Sequence, residues 1–444
     1  MAFRKTTLSV VPFMNGALQP PQASPSIHLD ALRGFAAFSV LLSHWRDAFF
    51  LDYSELGHYC PLLSAFYFLT SLGHQWVIVF FVMSGYLVGG SVLRSVNSGR
   101  WSWRSYLFTR FLRLYVVLLP ALLPGGAIDW AGMHIAGTDF VYNGQSGMHE
   151  VASNVNSTLT LPTLAANAVF LQTISLPGMA GKRISTFGTN GPLWSLSNEF
   201  WYYLAFPLLA LLLVTRRFNL ATNSNPSAGM AAMMPRAACA LGLLIWVWFV
   251  RADIAVLGIP WLMGAAIAYL PSFPSSRQWA RGLAIAAAVA LLWCGLAVGR
   301  WRCTLTTSLL LSLTVVFFIW VTLHCAKSPL PPLYVKVAQR SARSSYTLYL
   351  VHLPALCFLK ATLQLPRTAP NWQMAMVSLG VLAGILVYAQ LFYELFEKNT
   401  DKIRNWIKPY VMGGGNPRGL PINPFPATPI VVTLKGTLVS SVFP

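Results

Sequence analysis

Leu29 to Trp45 reads LDALRGFAAFSVLLSHW, an apolar run that carries a guanidinium at Arg33 and an imidazole at His44. The two are eleven residues apart, so on a helix they share one face and lie about 16 Å apart along the axis, close to three turns. A run of this character, continued to residue 51, is long enough to cross a bilayer. An ionisable side chain inside such a segment marks a functional site by default.

The rest of the chain has the same texture. Of 444 residues 55% are hydrophobic and only 10% charged, with a mean hydropathy of +0.57, which excludes both an ordinary soluble domain and a disordered chain. The expected fold is all-α, a polytopic integral membrane helical bundle of about ten transmembrane helices with both termini cytosolic. The spans fall near 31–51, 72–93, 106–124, 192–214, 237–250, 254–270, 282–298, 304–325, 344–362 and 374–396. Residues 1–28 contain Arg4 and Lys5, but the apolar run after them is broken by Pro12, Asn15 and the pair Pro20 and Pro21. That is unlike a cleaved signal, and the segment reads as a flexible leader. Residues 29–410 then form one transmembrane domain. Its connection 125–191 is long, external and rich in Gly, Ser, Thr and Asn, with a short apolar piece at 164–176; a loop of that length beside a membrane site is usually functional. The tail 411–444, with GGGNPRG at 413–419 and several prolines, reads as disordered.

The formal charge of +19 suits nucleic acid or an anionic surface, and its distribution decides between them. The alternate connections 94–113, 215–236, 271–281, 326–343 and 397–410 hold 18 of the 31 Lys and Arg. The opposite connections hold eight, Arg46, Lys182, Arg183, Arg251, Arg300, Arg302, Lys360 and Arg367, together with Asp47, Asp52, Glu55, Asp129, Asp139, Glu150 and Asp253. This is the positive-inside asymmetry, so the basicity sets topology and the partner is the lipid bilayer, not nucleic acid. Six cysteines stand at 60, 239, 294, 303, 325 and 357 with no metal-ligand spacing. No metal site is expected; Cys60 and Cys303 both fall near the outer face, where a disulfide is open to them.

Orientation gives each buried polar group a depth, at about 1.5 Å per residue. Arg33 lies just inside the cytosolic boundary and His44 beyond mid-membrane. Ser84, in FFVMSGYL from Phe80 to Leu87, falls near the midplane. Arg110 and Arg113 lie one to two turns deep on one face. Glu199, in PLWSLSNEFWYY from Pro192 to Tyr203, lies about two turns in from the outside, near the level of His44. Tyr349 and His352 share a face near the middle of the ninth span. Each has a purely structural reading. Arg33 can snorkel to the headgroups, and Arg110 and Arg113 can anchor topology. His44 and His352 can be satisfied core histidines, Glu199 can neutralise an arginine, and the tryptophans and tyrosines around it can form an aromatic belt. Convergence of two histidines, a glutamate and two arginines on one layer favours a site.

These motifs together resemble the membrane acyltransferase-3 family, whose members O-acylate O-antigens, exopolysaccharides, Nod factors and related glycans. The resemblance covers most of 28–398. LDALRGFAAFSVLLSH resembles the family's opening block, FFVMSGYL its second-span signature, RFLRLY from Arg110 to Tyr115 its R-x-x-R motif, LWSLSNE from Leu193 to Glu199 its tryptophan, serine and glutamate block, and SYTLYLVH from Ser345 to His352 its late tyrosine and histidine block. Ala31 replaces the usual glycine, Val116 stands where proline is common, and Phe200 takes the place of a frequent second acidic residue. The chain ends about fifty residues after the tenth span, so the hydrolase-like domain fused to some members is not expected.

The resemblance implies transfer of an acyl group, acetyl foremost, from cytosolic acyl-CoA to a hydroxyl of a polysaccharide, lipid-linked glycan or glycolipid, in a bacterial inner membrane and with no tightly bound cofactor. Arg33, Arg110 and Arg113, joined by Ser84, are the expected donor site, because planar guanidiniums suit the pyrophosphate and 3′-phosphate of coenzyme A. His44 is the expected base or transient acyl carrier, with Glu199 orienting the imidazole and Tyr349 and His352 donating to the thioester oxygen. Two other classes remain open. A proton-coupled secondary transporter also buries Arg, His and Glu, although no half-to-half repeat is visible. A non-catalytic scaffold in glycan assembly would tolerate loss of His44 and Arg113.

Overall fold

The computed structural model describes residues 23–57, 60–135, 137, 139–151, 154–176, 179, 181–214, 226–273, 277–326 and 329–412. The leader before residue 23, the tail beyond 412 and part of the basic connection 215–236 lie outside the described residues. The helices are α1 Ala23–Phe49, α2 Pro61–Leu69, α3 Gly73–Ser84, α4 Gly90–Asn97, α5 Trp103–Met133, α6 Asp139–Tyr142, α7 Leu161–Ala168, α8 Leu193–Val214, α9 Pro226–Ala266, α10 Gln278–Trp301, α11 Leu305–Cys325, α12 Pro332–Thr362, α13 Trp372–Leu395 and α14 Thr400–Met412. Among the described residues strand pairing is limited to an isolated bridge between Phe50 and Thr368. The protein is an all-helical bundle.

Among the described residues seven segments are long and apolar enough to cross a membrane: Gly73–Asn97, Trp103–Met133, Leu193–Leu213, Ala252–Tyr269, Gln278–Trp301, Leu305–Cys325 and Trp372–Met412. The shorter apolar piece Arg236–Val250 runs beside them. Local chemistry sets the helix starts. Thr304 and Asn371 accept from the amides of Thr307 and Met374 at 3.3 and 2.9 Å, satisfying N–H groups that have no partner inside the helix. The leader reading ends earlier than expected, since α1 already begins at Ala23 and His28 Nδ1 lies 2.8 Å from the Tyr334 hydroxyl of α12.

Residues 226–266 are helical throughout, yet their contacts reverse direction. Gly242 meets Leu208 of α8 and Trp246 donates to the Trp201 carbonyl, after which Ile254 accepts from Tyr202 and Trp261 packs 4.8 Å from Phe206. A straight helix would separate residues 242 and 261 by about 28 Å, too far for both to meet the same turn of α8. The chain therefore climbs α8 and returns along it, turning near residue 251, where the sequence places its two shortest spans.

α1 and α12 hold the centre. They run side by side in the same direction: Arg33 donates to Ala342, the His44 ring faces His352, and Lys360 donates to the Ala48 carbonyl. Residues 347–357 of α12 are buried without interruption, as expected of a helix surrounded by others. α3 reaches α9 through glycine. A methyl group at Gly85 would collide with the Trp261 carbonyl, and one at Gly264 with the Val82 carbonyl, so the two backbones touch, as small residues permit between membrane helices. Gly85 also opens a π-helical turn, Gly85–Gly89, a widening of the helix that often accompanies functional sites.

The connection 125–191 is more ordered than its composition implies. α5 continues to Met133, and Asp129, expected in the loop, is buried and accepts from the Thr189 amide and hydroxyl at 2.7 and 2.8 Å. The apolar piece near 164–176 becomes α7 and a turn in which Phe170 has φ 59°. That costly conformation is held because the Phe170 carbonyl accepts from both Ser197 and Trp201 of α8. Cys60 and Cys303, open to a disulfide by topology, are both free thiols.

Candidate active site

The polar groups of the bundle fall into two stations joined along α1. At the first, Arg33 Nε donates to Ser345 Oγ at 3.1 Å and Nη2 to the Ala342 carbonyl at 2.7 Å. Arg110 Nη2 donates to Ser91 Oγ at 3.0 Å, and its guanidinium lies over the rings of Tyr106 and Tyr203 at 5.6 and 5.9 Å. Its Nε is buried with no partner among the described residues. Arg113, three residues on, is exposed. Arg33 lies close enough to Arg113, Glu199 and Glu397 for their charges to act on it. Three guanidiniums thus share a region with three carboxylates, Asp30, Glu199 and Glu397.

Ser84, just before the π turn, donates to Glu199 Oε1 at 2.5 Å and accepts from Trp261 Nε1 at 3.1 Å. Tyr203, one turn beyond Glu199, donates to the same carboxylate oxygen. Glu199 is therefore a member of the arginine station. The expectation that it orients His44 does not match its hydrogen bonds: depth along α8 places it correctly in height, but its face of α8 looks at α3. Glu397 escaped the sequence reading. Its carboxylate accepts from the Thr347 amide and hydroxyl at 3.2 and 2.5 Å, and the one available signal was an acidic residue at the end of the last span within a stretch read as basic.

At the second station the rings of His44 and His352 lie 5.1 Å apart at 39°. Among the described residues neither His44 nitrogen is hydrogen-bonded, and the side chain is half-buried. His352 is 1% exposed; its Nδ1 lies 3.0 Å from the Leu348 carbonyl, and its Nε2 is buried without a partner. A carbonyl can only accept, so Nδ1 carries the proton and Nε2 presents a lone pair. Tyr349 is 2.7 Å from Ser195 Oγ and donates to the Pro192 carbonyl at 3.3 Å. The protons of Tyr349 and His352 that the sequence reading assigns to a thioester oxygen are thus already directed at Pro192 and Leu348. The structure brings His352 to His44, with the Tyr349 ring 6.1 Å from that of His352, and gives both positioning contacts.

Beyond His44, α1 ends in an ionic clamp. Arg46 Nη1 and Arg367 Nη2 both reach Asp52 Oδ1 at 3.1 Å, His149 lies 3.0 Å from Asp52 Oδ2, and the His149 amide donates to Asp47 at 2.9 Å. Burial pushes the Asp52 carboxyl up, but the hydrogen bond from His149 and the charge of Arg367 outweigh it and hold the group below the ordinary carboxylate range. Asp47, Asp52 and His149 bring ligand atoms within 4.8 Å of one another, yet two guanidiniums already occupy the carboxylates. The clamp fastens the end of α1 to the segments at 147–149 and 367–368.

A family model described as an acyltransferase domain matches residues 27–392. A curated relative, the acyltransferase MdmB of Streptomyces mycarofaciens, is 30% identical over 191 residues, which is 43% of this chain and 40% of that protein. The chain thus matches less than half of that relative's length. No solved structure matches the chain.

Proposed function

The chain belongs to the acyltransferase family whose model spans residues 27–392, and on that premise we propose that it moves an acyl group, acetyl foremost, from cytosolic acyl-CoA to a hydroxyl of a cell-surface or lipid-linked carbohydrate. Ten spans, cytosolic termini and a bacterial inner membrane complete the reading. The observation that carries it is the pair of stations on one helix: cations at Arg33, Arg110 and Arg113, and about 16 Å further along α1 an imidazole at His44 with free nitrogens. That separation suits coenzyme A, whose phosphates and thioester stand at opposite ends of an extended arm.

Guanidiniums bind phosphate through paired charge-assisted hydrogen bonds. Ser84, Glu199 and Tyr203 fix the floor of this station, and Glu397 holds the end of the last span against it. At the other station the acceptor hydroxyl gives its proton to His44 as its oxygen attacks the thioester carbonyl. The tetrahedral adduct collapses, the carbon–sulfur bond breaks, and the proton on His44 passes to the departing thiolate. The His352 ring, 5.1 Å from that of His44, packs beside the imidazole and restricts its rotation.

Mass spectrometry of surface glycans from cells with and without the protein tests this. The expected result is one acyl mass on a sugar residue that disappears with the protein. Identical glycans in both samples overturn the carbohydrate assignment.

A further inference from the structure

At the His44 end of the bundle the start of α3 faces the start of α8. His74 is exposed although Gly73, Gln75 and Trp76 beside it are buried. Its ring lies 6.1 Å from that of Trp194 and nearly parallel, at 19°. Trp194 is half-buried and braced edge-on by Phe81 at 6.1 Å. Glu150 is close enough to His74 for the two charges to interact. It is exposed, yet burial raises its carboxyl above the ordinary range.

Gly191 marks the way inward. A side chain there would press on the Glu150 carbonyl and meet Leu353 of α12. Its neighbour Asn190 is 3% exposed, donates from Nδ2 to the Leu350 carbonyl at 2.9 Å and leaves Oδ1 without a partner among the described residues. Leu350 and Leu353 belong to the turn of α12 that carries His352, whose Nε2 is also unpartnered among the described residues. These groups therefore lead from His74 and Glu150 through Gly191 and Asn190 to α12, the helix that sets His352 beside His44. Both buried atoms left over are acceptors, and buried acceptors are ordinarily paired. The ligand they fit is rich in O–H donors, and the indole offers an apolar face for the C–H side of a ring.

We propose that His74, Glu150, Asn190 and Trp194 form the acceptor subsite, which holds a glycoside so that one of its hydroxyls reaches His44. This rests on the acyltransferase reading above and adds the route by which the acceptor enters. Trp194 and Glu150 set affinity for the acceptor; Asn190 positions the hydroxyl next to the imidazoles.

The test uses the full chain in lipid nanodiscs, acetyl-CoA as donor and a panel of methyl glycosides as acceptors. Transfer is followed against glycoside concentration, and coenzyme A affinity is measured by calorimetry on the same samples. Glu150→Gln and Trp194→Leu are expected to raise the acceptor KM about tenfold, the effect of one lost hydrogen bond or ring contact, with a smaller change in kcat and no change in coenzyme A affinity. Trp194→Phe, which keeps the packing on Phe81, recovers most of the loss. Unchanged acceptor KM in both variants, or a parallel loss of coenzyme A affinity, overturns the subsite. Wild-type protein that acetylates no glycoside overturns the carbohydrate reading and the subsite with it; wild-type transfer that both variants match overturns the subsite alone.

Discussion

Replacing His44 with alanine abolishes acyl transfer while the protein remains in the membrane and still binds coenzyme A. The expected loss is about 10²- to 10⁴-fold, the contribution of a positioned general base. The size follows from the surroundings. His44 is half-buried, faces a second imidazole at 5.1 Å and has both nitrogens free of described partners, so a nitrogen is available to take the proton of a hydroxyl. His352 is 1% exposed, so an incoming hydroxyl meets the half-buried His44 first. Transfer rates normalised to the amount of membrane protein check this, and near-normal turnover by His44→Ala removes the imidazole from the mechanism.

The second large effect is on the donor. Arg113→Ala weakens coenzyme A binding by roughly 10- to 100-fold, the equivalent of one charge-assisted contact of about 1.5–3 kcal/mol. Arg113 is the cleaner probe of the cation station, since it is exposed and its removal opens no cavity. Arg110 packs over Tyr106 and Tyr203, so its removal also loosens α5 against α8. Calorimetric titration with coenzyme A measures the change, together with thermal unfolding to show that the fold is kept. Unchanged affinity in Arg113→Ala would take the phosphates away from this station.

Much of the bundle is legible from hydropathy because a helix in lipid must satisfy every backbone group within itself. The turn near residue 251 is an instance: two short apolar runs flank Arg251 and Asp253, and α9 reverses there. α1 and α12 are less apolar than the other long helices, and the reason is visible in their polar residues, Arg33 and His44 on one, Ser345, Thr347 and His352 on the other. Spacing alone predicts that Tyr349 and His352 share a face, and the structure sets the His352 ring against His44 with the Tyr349 ring 6.1 Å from that of His352. What sequence could not supply is the rotation of one helix relative to its neighbours. Depth puts Glu199 and His44 at similar heights, but Glu199 faces Ser84 and Tyr203 while His44 faces α12. Glu397 was hidden for a related reason, since only the docking of the chain end against α12 brings it to Thr347. Phe200 shows the reverse. Where the resembled family often has a second acid, this chain stacks the ring on Phe170 at 4.2 Å, and the turn that supports α8 is built from that contact.

The measurement that bears most directly on the central claim is a structure of the full chain in lipid with acetyl-CoA bound, read for the position of the thioester carbon. The phosphates are expected within hydrogen-bonding reach of Arg33, Arg110 and Arg113, and the thioester at van der Waals contact, roughly 3–4 Å, from a nitrogen of His44. A donor bound elsewhere, or a His44 ring sealed from the donor by packed hydrocarbon, contradicts that claim.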